Sequence, residues 1–255
     1  MTRLTKIQLH APYLILIGAM GDDTYAKTGF GIVQWRPDLV AGQLRFEGCE
    51  VDLGVPDMSV TEAAAAGVRS LVIGVAPVGG TIPDNWWPHI EDAARAGLDI
   101  VCGLHFKLTD FPAVVAAAKS SGARLIDVRN PPTNLPVGTG IKRSGKRVLM
   151  VGTDCAIGKK YAALALHKAM CEAGMKASFR ATGQTGIMLA GEGIPIDSVV
   201  ADFIAGAAEL ISPANDEDHW DVIENATAEW LQVGGSGIDT AYIYDDEAPI
   251  AAGVK

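Results

Sequence analysis

The chain has 255 residues, 49% of them hydrophobic, and a formal net charge of −9. That length accommodates one large or two medium domains with real cores. No run approaches the roughly 18 uninterrupted apolar residues of a membrane span, no basic-then-apolar signal peptide is present, and an acidic total argues against nucleic acid as the main partner. The charge is uneven: residues 191–255 hold fourteen Asp or Glu against the single basic Lys255, a balance of −13 that leaves +4 on residues 1–190. Cys49, Cys102, Cys155 and Cys171 show no metal-ligand spacing. Scattered cysteines in a chain of this size point to reduced thiols, a cytoplasmic address and no metal.

Apolar runs alternate with helical patterns from the start, the pattern of parallel sheets with crossover helices. Strands are expected at 12–18, 39–45, 69–75, 98–103 and 124–128. TEAAAAGV, residues 84–96 and FPAVVAAAKSSG read as helices, each closed near a glycine suited to a left-handed C-terminal position. Asp22 and Lys27 after the first strand, and GVAPVGG at 74–80 after the third, resemble ligand-facing turns. A lone Gly-rich turn is a weak signal. RNPPTNLPVGTG at 129–140 has three prolines and two glycines, which can continue neither helix nor strand. The boundary is therefore set there, with a Rossmann-like domain over 1–140 and a second domain over 141–255.

The second unit opens with the strand KRVLMV, the loop Gly152, Thr153, Asp154, Cys155, Ala156, Ile157, Gly158, Lys159, Lys160, and a helix over 158–173. A hydrophobic strand, a Gly-rich turn and a helix in that order form a phosphate cradle: turn amides and the helix N-terminus face an anion, and Lys159 adds a point charge. The loop departs from the common pattern twice. Five residues, not four, separate Gly152 from Gly158, a length that looks like the loop of dethiobiotin synthetase. Lys160 takes the place of the Ser or Thr whose oxygen ligates Mg²⁺ in ATP- and GTP-using loops. A lysine cannot ligate Mg²⁺, so the loop is better suited to holding a phosphate than to cleaving one. The simpler alternative is a strand-to-helix turn with glycines for geometry. Lys142, Arg143, Lys146 and Arg147, just upstream, either extend the cradle towards a ligand with several phosphates or form a solvated charged linker. Downstream, a strand is expected at 176–181, a helical stretch at 197–209 and a short strand at 220–223.

In the second domain, VGTDCAIGKK, FRATGQTGIMLAGEG, VVADFIAGAAE and ISPANDEDHWDVIE resemble, nearly residue for residue, the family that contains the bacterial D-glutamate N-acetyltransferases. AKTGFGIVQWRPDLVAGQLR, GCEVDLGVPDMSVTEAAAAG, LVIGVAPVGG, AGLDIVCGLH and DVRNPP in the first domain are similar to the same family. The resemblance covers about residues 11–224. It implies an α/β chain of two domains, a Rossmann-like parallel sheet followed by a P-loop-like parallel sheet, transferring acetyl from acetyl-CoA to the amine of D-glutamate. The reading expects no metal, and with the charge and hydropathy no nucleic acid or membrane partner; it is compatible with a homo-oligomer. Coenzyme A needs a cradle and a lysine but no Mg²⁺ hydroxyl, which agrees with the odd loop. Members commonly carry Met where Lys160 stands.

Acetyl transfer to an amine requires a general base, donors for the oxyanion, and cations or amides for the substrate carboxylates. Asp202, Asp221, Glu224 and His219, all on matching strings, are candidate bases; a helix-capping Asp202 and a packed His219 are the structural alternatives. Arg180 is a candidate carboxylate clamp or a surface arginine. Thr182, Gln184 and Thr185 are candidate donors or ordinary turn residues. Cys155 has no histidine nearby in sequence and reads as loop packing.

After Glu224 the chain leaves the family strings. GIDTAYIYDDEAPIAAGVK resembles instead an early strand of the aldo-keto reductases, with Asp239 and Tyr244 at their catalytic spacing but no barrel to complete that site. The second domain is therefore expected to appear truncated and weakly stable, with residues 225–255 a divergent tail. Two other readings stay open: a Mg-ATP-dependent ligase or kinase of the dethiobiotin synthetase type, and a non-catalytic remnant that binds a phosphorylated ligand.

Overall fold

A computed structural model describes residues 6–131, 146–150, 158–195 and 208–212, the last as backbone. These form two compact units, one of Lys6–Asn130 with Ile187–Glu192, the other of the remaining chain.

The first unit begins with the short strand β1 (Ile7–Gln8) and then alternates strand and helix: β2 (Tyr13–Gly18), α1 (Lys27–Trp35), β3 (Val40–Arg45), α2 (Val60–Ala65), β4 (Ser70–Ile73), α3 (Trp87–Arg95), β5 (Asp99–Cys102), α4 (Pro112–Ser121) and β6 (Leu125–Asp127). The five main strands lie in the order β3-β2-β4-β5-β6, and every pair is parallel. This is a doubly wound sheet whose order reverses between β2 and β4. Every residue of β2, β4 and β5 is buried, which is why these strands read as continuous apolar runs rather than alternating ones. Each buried Leu or Ile there contributes about 2 kcal/mol of transfer free energy. A capping box starts α2: the Ser59 hydroxyl accepts from the Glu62 N–H at 3.2 Å, and the Glu62 carboxylate accepts from the Ser59 N–H at 2.8 Å.

Sequence reading missed α1. Its KTGFGIVQW has two glycines and weak helical propensity, and packing overrides this: the Gly29 N–H donates to the Gly74 carbonyl at 2.8 Å, and Gly29, Gly31 and Ile32 are buried. Both turns that resemble ligand-facing ones also make local structural contacts. Asp22 accepts from the Thr24 N–H at 2.7 Å and caps a short 3₁₀ turn, and Gly74 receives α1.

At the N-terminal edge of the sheet, Asp99 is held by the Arg124 side chain at 3.0 and 2.6 Å and by the Arg124 N–H at 2.8 Å, with His10 Nδ1 at 3.1 Å. Burial works to raise the Asp99 pKa, but the Arg124 hydrogen bonds outweigh it and hold the carboxyl below its usual range. Arg124 also reaches the Gln8 carbonyl at 3.0 Å. The network ties β1 and the segment after it to the starts of β5 and β6.

The second unit contains β7 (Lys146–Leu149), α5 (Lys159–Glu172), β8 (Ser178–Ala181), the start of α6 (Gln184–Ala190), the end of β9 (Glu192–Gly193) and β10 (Ala208–Ser212). Residues 208–209, expected at the end of a helix, are strand instead, because they fill the ladder between β7 and β8. β10 runs antiparallel to both. β7 and β8 therefore run the same way, as a P-loop-like sheet requires, but they are separated by a strand of opposite direction. The expected strand at 220–223 and the tail at 225–255 lie outside the described residues. α5 packs Ala163, Leu166 and Met170 on Met150, with Val148 and Phe179 closing the layer. Its Ala/Leu-rich sequence supplies both the helical propensity and the apolar face.

At the end of β2, Gly18 has φ +64°, and a Cβ there would collide with the ring of Trp86, which is 1% exposed. Gly18→Ala is expected to destabilise the first unit by about 3 kcal/mol, from backbone strain plus overpacking. Thermal unfolding followed by circular dichroism measures this; an unchanged Tm would contradict the packing of Trp86 on Gly18.

Candidate functional site

The candidate site occupies one edge of the second sheet, and its geometry follows from register. Glu209 of β10 is the Cα partner of Leu149 on one side and of Arg180 on the other. Leu149 and Arg180 are thus level, with one strand between them, about 10 Å apart at ordinary strand spacing. Because β7 and β8 are co-directional, their C-terminal ends leave the sheet at the same edge. One end leads into the loop and α5, the other into Thr182 and α6.

At the α5 end, Gly158 is the N-cap, in the left-handed region with φ 100°, a conformation that favours glycine. No side chain caps the helix among the described residues, and its first turn contains no acidic residue. A helix N-terminus with two lysines in its first turn attracts anions through its amides and dipole. Lys159 is 9% exposed, so its long side chain is buried against the fold rather than spread into solvent. The Lys160 ammonium stands 4.3 Å from the Tyr161 ring centroid. Burial pushes the Lys160 pKa down to about 8 and raises that of the Tyr161 phenol. An anion bound at this helix end would offset the cost of that buried charge. Gly152, Thr153, Asp154, Cys155, Ala156 and Ile157 lie outside the described residues.

At the β8 end, Arg180 is exposed and Phe179 turns to the opposite face, where it packs with α5. Arg180 therefore sits on the sheet face away from α5. Thr182, Gln184 and Thr185 are half-buried in the turn and first turn of α6. Gly186 lies close enough to Ala181 that a Cβ there would stand 3.3 Å from the Ala181 methyl, so the helix folds back tightly on the strand. The rest of α6, from Ile187, belongs to the first unit. Ile187, Met188 and Leu189 are buried, Arg36 Nη1 donates to the Leu189 carbonyl at 2.9 Å, and the Leu9 N–H donates to the Gly191 carbonyl at 2.8 Å. Sequence reading missed α6; the one available signal was the apolar IML after the glycines.

Asp202, Asp221, Glu224 and His219, the candidate bases, lie outside the described residues, as do Asp239 and Tyr244. Cys49, Cys102 and Cys171 are free thiols, and burial raises Cys102 to about 12, which makes it inert. Among the described residues, no group of three or more His, Cys, Asp or Glu is placed to hold a metal, and no helix is long and apolar enough to cross a membrane.

Two profiles of a domain of unknown function cover most of the chain. The DUF1611_N Rossmann-like domain matches residues 44–131 and the DUF1611_C P-loop domain matches residues 136–238. The chain belongs to the DUF1611 family. The second match runs past Glu224, where the recognisable family strings stop. A protein named D-glutamate N-acetyltransferase from Tritonibacter scottomollicae is 45% identical over 236 residues, 92% of this chain and 71% of that protein. Another of the same name from Pseudoalteromonas sp is 45% identical over 218 residues, 86% of this chain and 66% of that protein. A crystal structure of a DUF1611 family protein from Anabaena variabilis superimposes with a TM-score of 0.62 at 30% identity, covering 96% of this chain and 71% of that one. The fold and the two-domain order of the family are those of this chain.

The Lys160 pKa gives a direct test of the site's electrostatics. The unfolded chain keeps that proton up to about the ordinary value of 10.5, whereas the folded chain releases it near 8, so the unfolded state binds more protons between those values. Stability should therefore rise with pH from 8 to 10.5, by up to about 3 kcal/mol from this group. Lys160→Met should remove that component and stabilise the protein at pH 7. Urea unfolding at pH 7, 8, 9 and 10 compares the two, and parallel pH profiles would contradict the burial of Lys160.

Proposed function

We propose that this protein transfers the acetyl group of acetyl-CoA to the amine of D-glutamate. The observation that carries the reading is the shared edge: β7, which leads towards the lysine-bearing N-terminus of α5, and β8, which leads into the polar turn at 182–185, end level on one sheet, one strand apart. The first suits a phosphorylated cosubstrate, the second a small polar acceptor. The 45% identity with proteins named D-glutamate N-acetyltransferase supports the same reaction.

In this reading the α5 amides, Lys159 and Lys160 hold coenzyme A phosphates, with no call for Mg²⁺. Lys160 occupies the position of the metal-ligating hydroxyl and supplies charge in its place. Thr182, Gln184 and Thr185 offer hydroxyl and amide donors for a substrate carboxylate or for the thioester carbonyl, whose oxygen gains charge as the amine attacks. Arg180 stands on the sheet face opposite α5, so a carboxylate it clamps approaches from that side. The attacking amine must be neutral, and Asp202, Asp221, Glu224 and His219 remain the candidate bases for its proton.

A thiol-release assay with acetyl-CoA and a panel of D- and L-amino acids tests the reaction. Release dependent on D-glutamate is expected. Coenzyme A binding without release would favour the non-catalytic remnant, and Mg²⁺-dependent ATP consumption the ligase reading. Lys159→Ala should raise the acetyl-CoA Kd by about tenfold or more, the usual loss for a charge-assisted hydrogen bond; isothermal titration calorimetry showing an unchanged Kd would refute the cradle.

A further inference from the structure

The Rossmann-like unit has a second concave feature, independent of the acetyl-transfer reading. Open doubly wound sheets bind ligands outside the C-terminal ends of their strands, where the order reverses. In this sheet the reversal lies between β2 and β4, and Trp86 packs on Gly18 at the end of β2. The indole takes the space that a ligand would otherwise use there. The open space is displaced towards β3, where a groove of about 630 Å³ runs from the end of that strand to the starts of α2 and α3. That volume lies within the usual range for small-molecule sites.

The chemistry of the groove is specific. Its cation is already spent: Arg45 makes a bidentate pair with Asp57, at 2.7 Å from Nε and 2.5 Å from Nη2, with Asp52 at 3.6 Å. At the opposite rim Asp92 is paired with Arg95 at 3.0 Å. The Glu47 carboxylate has no partner among the described residues, and neither the Thr61 hydroxyl nor the Asn85 amide is hydrogen-bonded among them; all three are exposed on the lining. One wall is aromatic: Phe46 stacks on the exposed His89 ring at 4.1 Å and 29° and meets Trp86 edge-on at 5.5 Å. The groove therefore offers an uncompensated carboxylate acceptor, a hydroxyl, an amide and a flat ring, but no unpaired cation among the described residues.

Glu47 stands two residues beyond β3, the second strand of the first βαβ unit. That is where dinucleotide-binding sheets place the acid that accepts from ribose hydroxyls. The phosphate end of such a site is absent in kind. Asp22 already accepts the Thr24 amide of the turn before α1, and Asp23 follows it, so two carboxylates against the one nearby cation, Lys27, leave the position that would hold a pyrophosphate acidic.

We propose that this groove binds an uncharged ribonucleoside, with the ribose diol on Glu47 and the base against the Phe46–His89 wall. Phosphorylated forms bind more weakly, because phosphate meets Glu47, Asp22 and Asp23 against the single cation Lys27. Coenzyme A, whose ribose carries a 3′-phosphate, lacks the free diol and is not its ligand.

Calorimetric titration of the full chain with adenosine, guanosine, cytidine and uridine tests this. At least one should bind, its 2′-deoxy and 5′-monophosphate forms each about tenfold more weakly. Glu47→Gln should weaken that binding by about tenfold and leave acetyl-CoA binding unchanged, with the fold checked by circular dichroism because Glu47 is exposed. No binding by any of the four at about 5 mM, a limit near −3 kcal/mol, would overturn the proposal. So would equal affinity for the 2′-deoxy form, equal affinity for the monophosphate, or an unaffected Glu47→Gln variant.

Discussion

The antiparallel ladder of β10 between β7 and β8 sets the geometry of the candidate site. Glu209 faces Leu149 and Arg180 at once, and only through that double register do the strand before the phosphate loop and the strand before the polar turn end level. If β10 slipped by two residues against either neighbour, the two ends would move apart by about 7 Å. A one-residue slip would turn every side chain of a strand to the wrong face. The candidate chemistry is thus a consequence of strand register as much as of any single side chain.

The second constraint lies at the turn after β8. A turn rich in Thr, Gly and Gln has little to hold it by itself, and ordered donors are more effective than mobile ones because no ordering cost is met on binding. Here the close approach of Gly186 to Ala181 holds the start of α6 against the end of its own strand.

Much of the first sheet was legible in the sequence because β2, β4 and β5 are buried on both faces and stand out as apolar runs; the expected boundaries fall within two residues of the observed ones. α1 was not legible, since two glycines lower its propensity and its stability comes from contact with Gly74, thirty or more residues away. β10 was hidden for a related reason: AELIS has no strong alternation, and its neighbours in the ladder decide its state. In the site, Gly158, Lys159 and Lys160 were readable because a strand, a glycine turn and a helix are adjacent in sequence. The level ends of β7 and β8 were not readable, because they depend on a strand more than twenty-five residues further along the chain. Trp86 on Gly18, and the groove displaced towards β3, likewise arise from tertiary contact between residues that no local pattern joins.

The central claim is that one sheet edge holds the cosubstrate phosphates at α5 and the acceptor at the turn after β8. Backbone amide NMR of the labelled protein tests it most directly, by titration first with coenzyme A and then with D-glutamate. The account predicts that coenzyme A shifts the amides of residues 158–161 and that D-glutamate shifts those of 182–185. Coenzyme A binding that leaves residues 158–161 unmoved would contradict it.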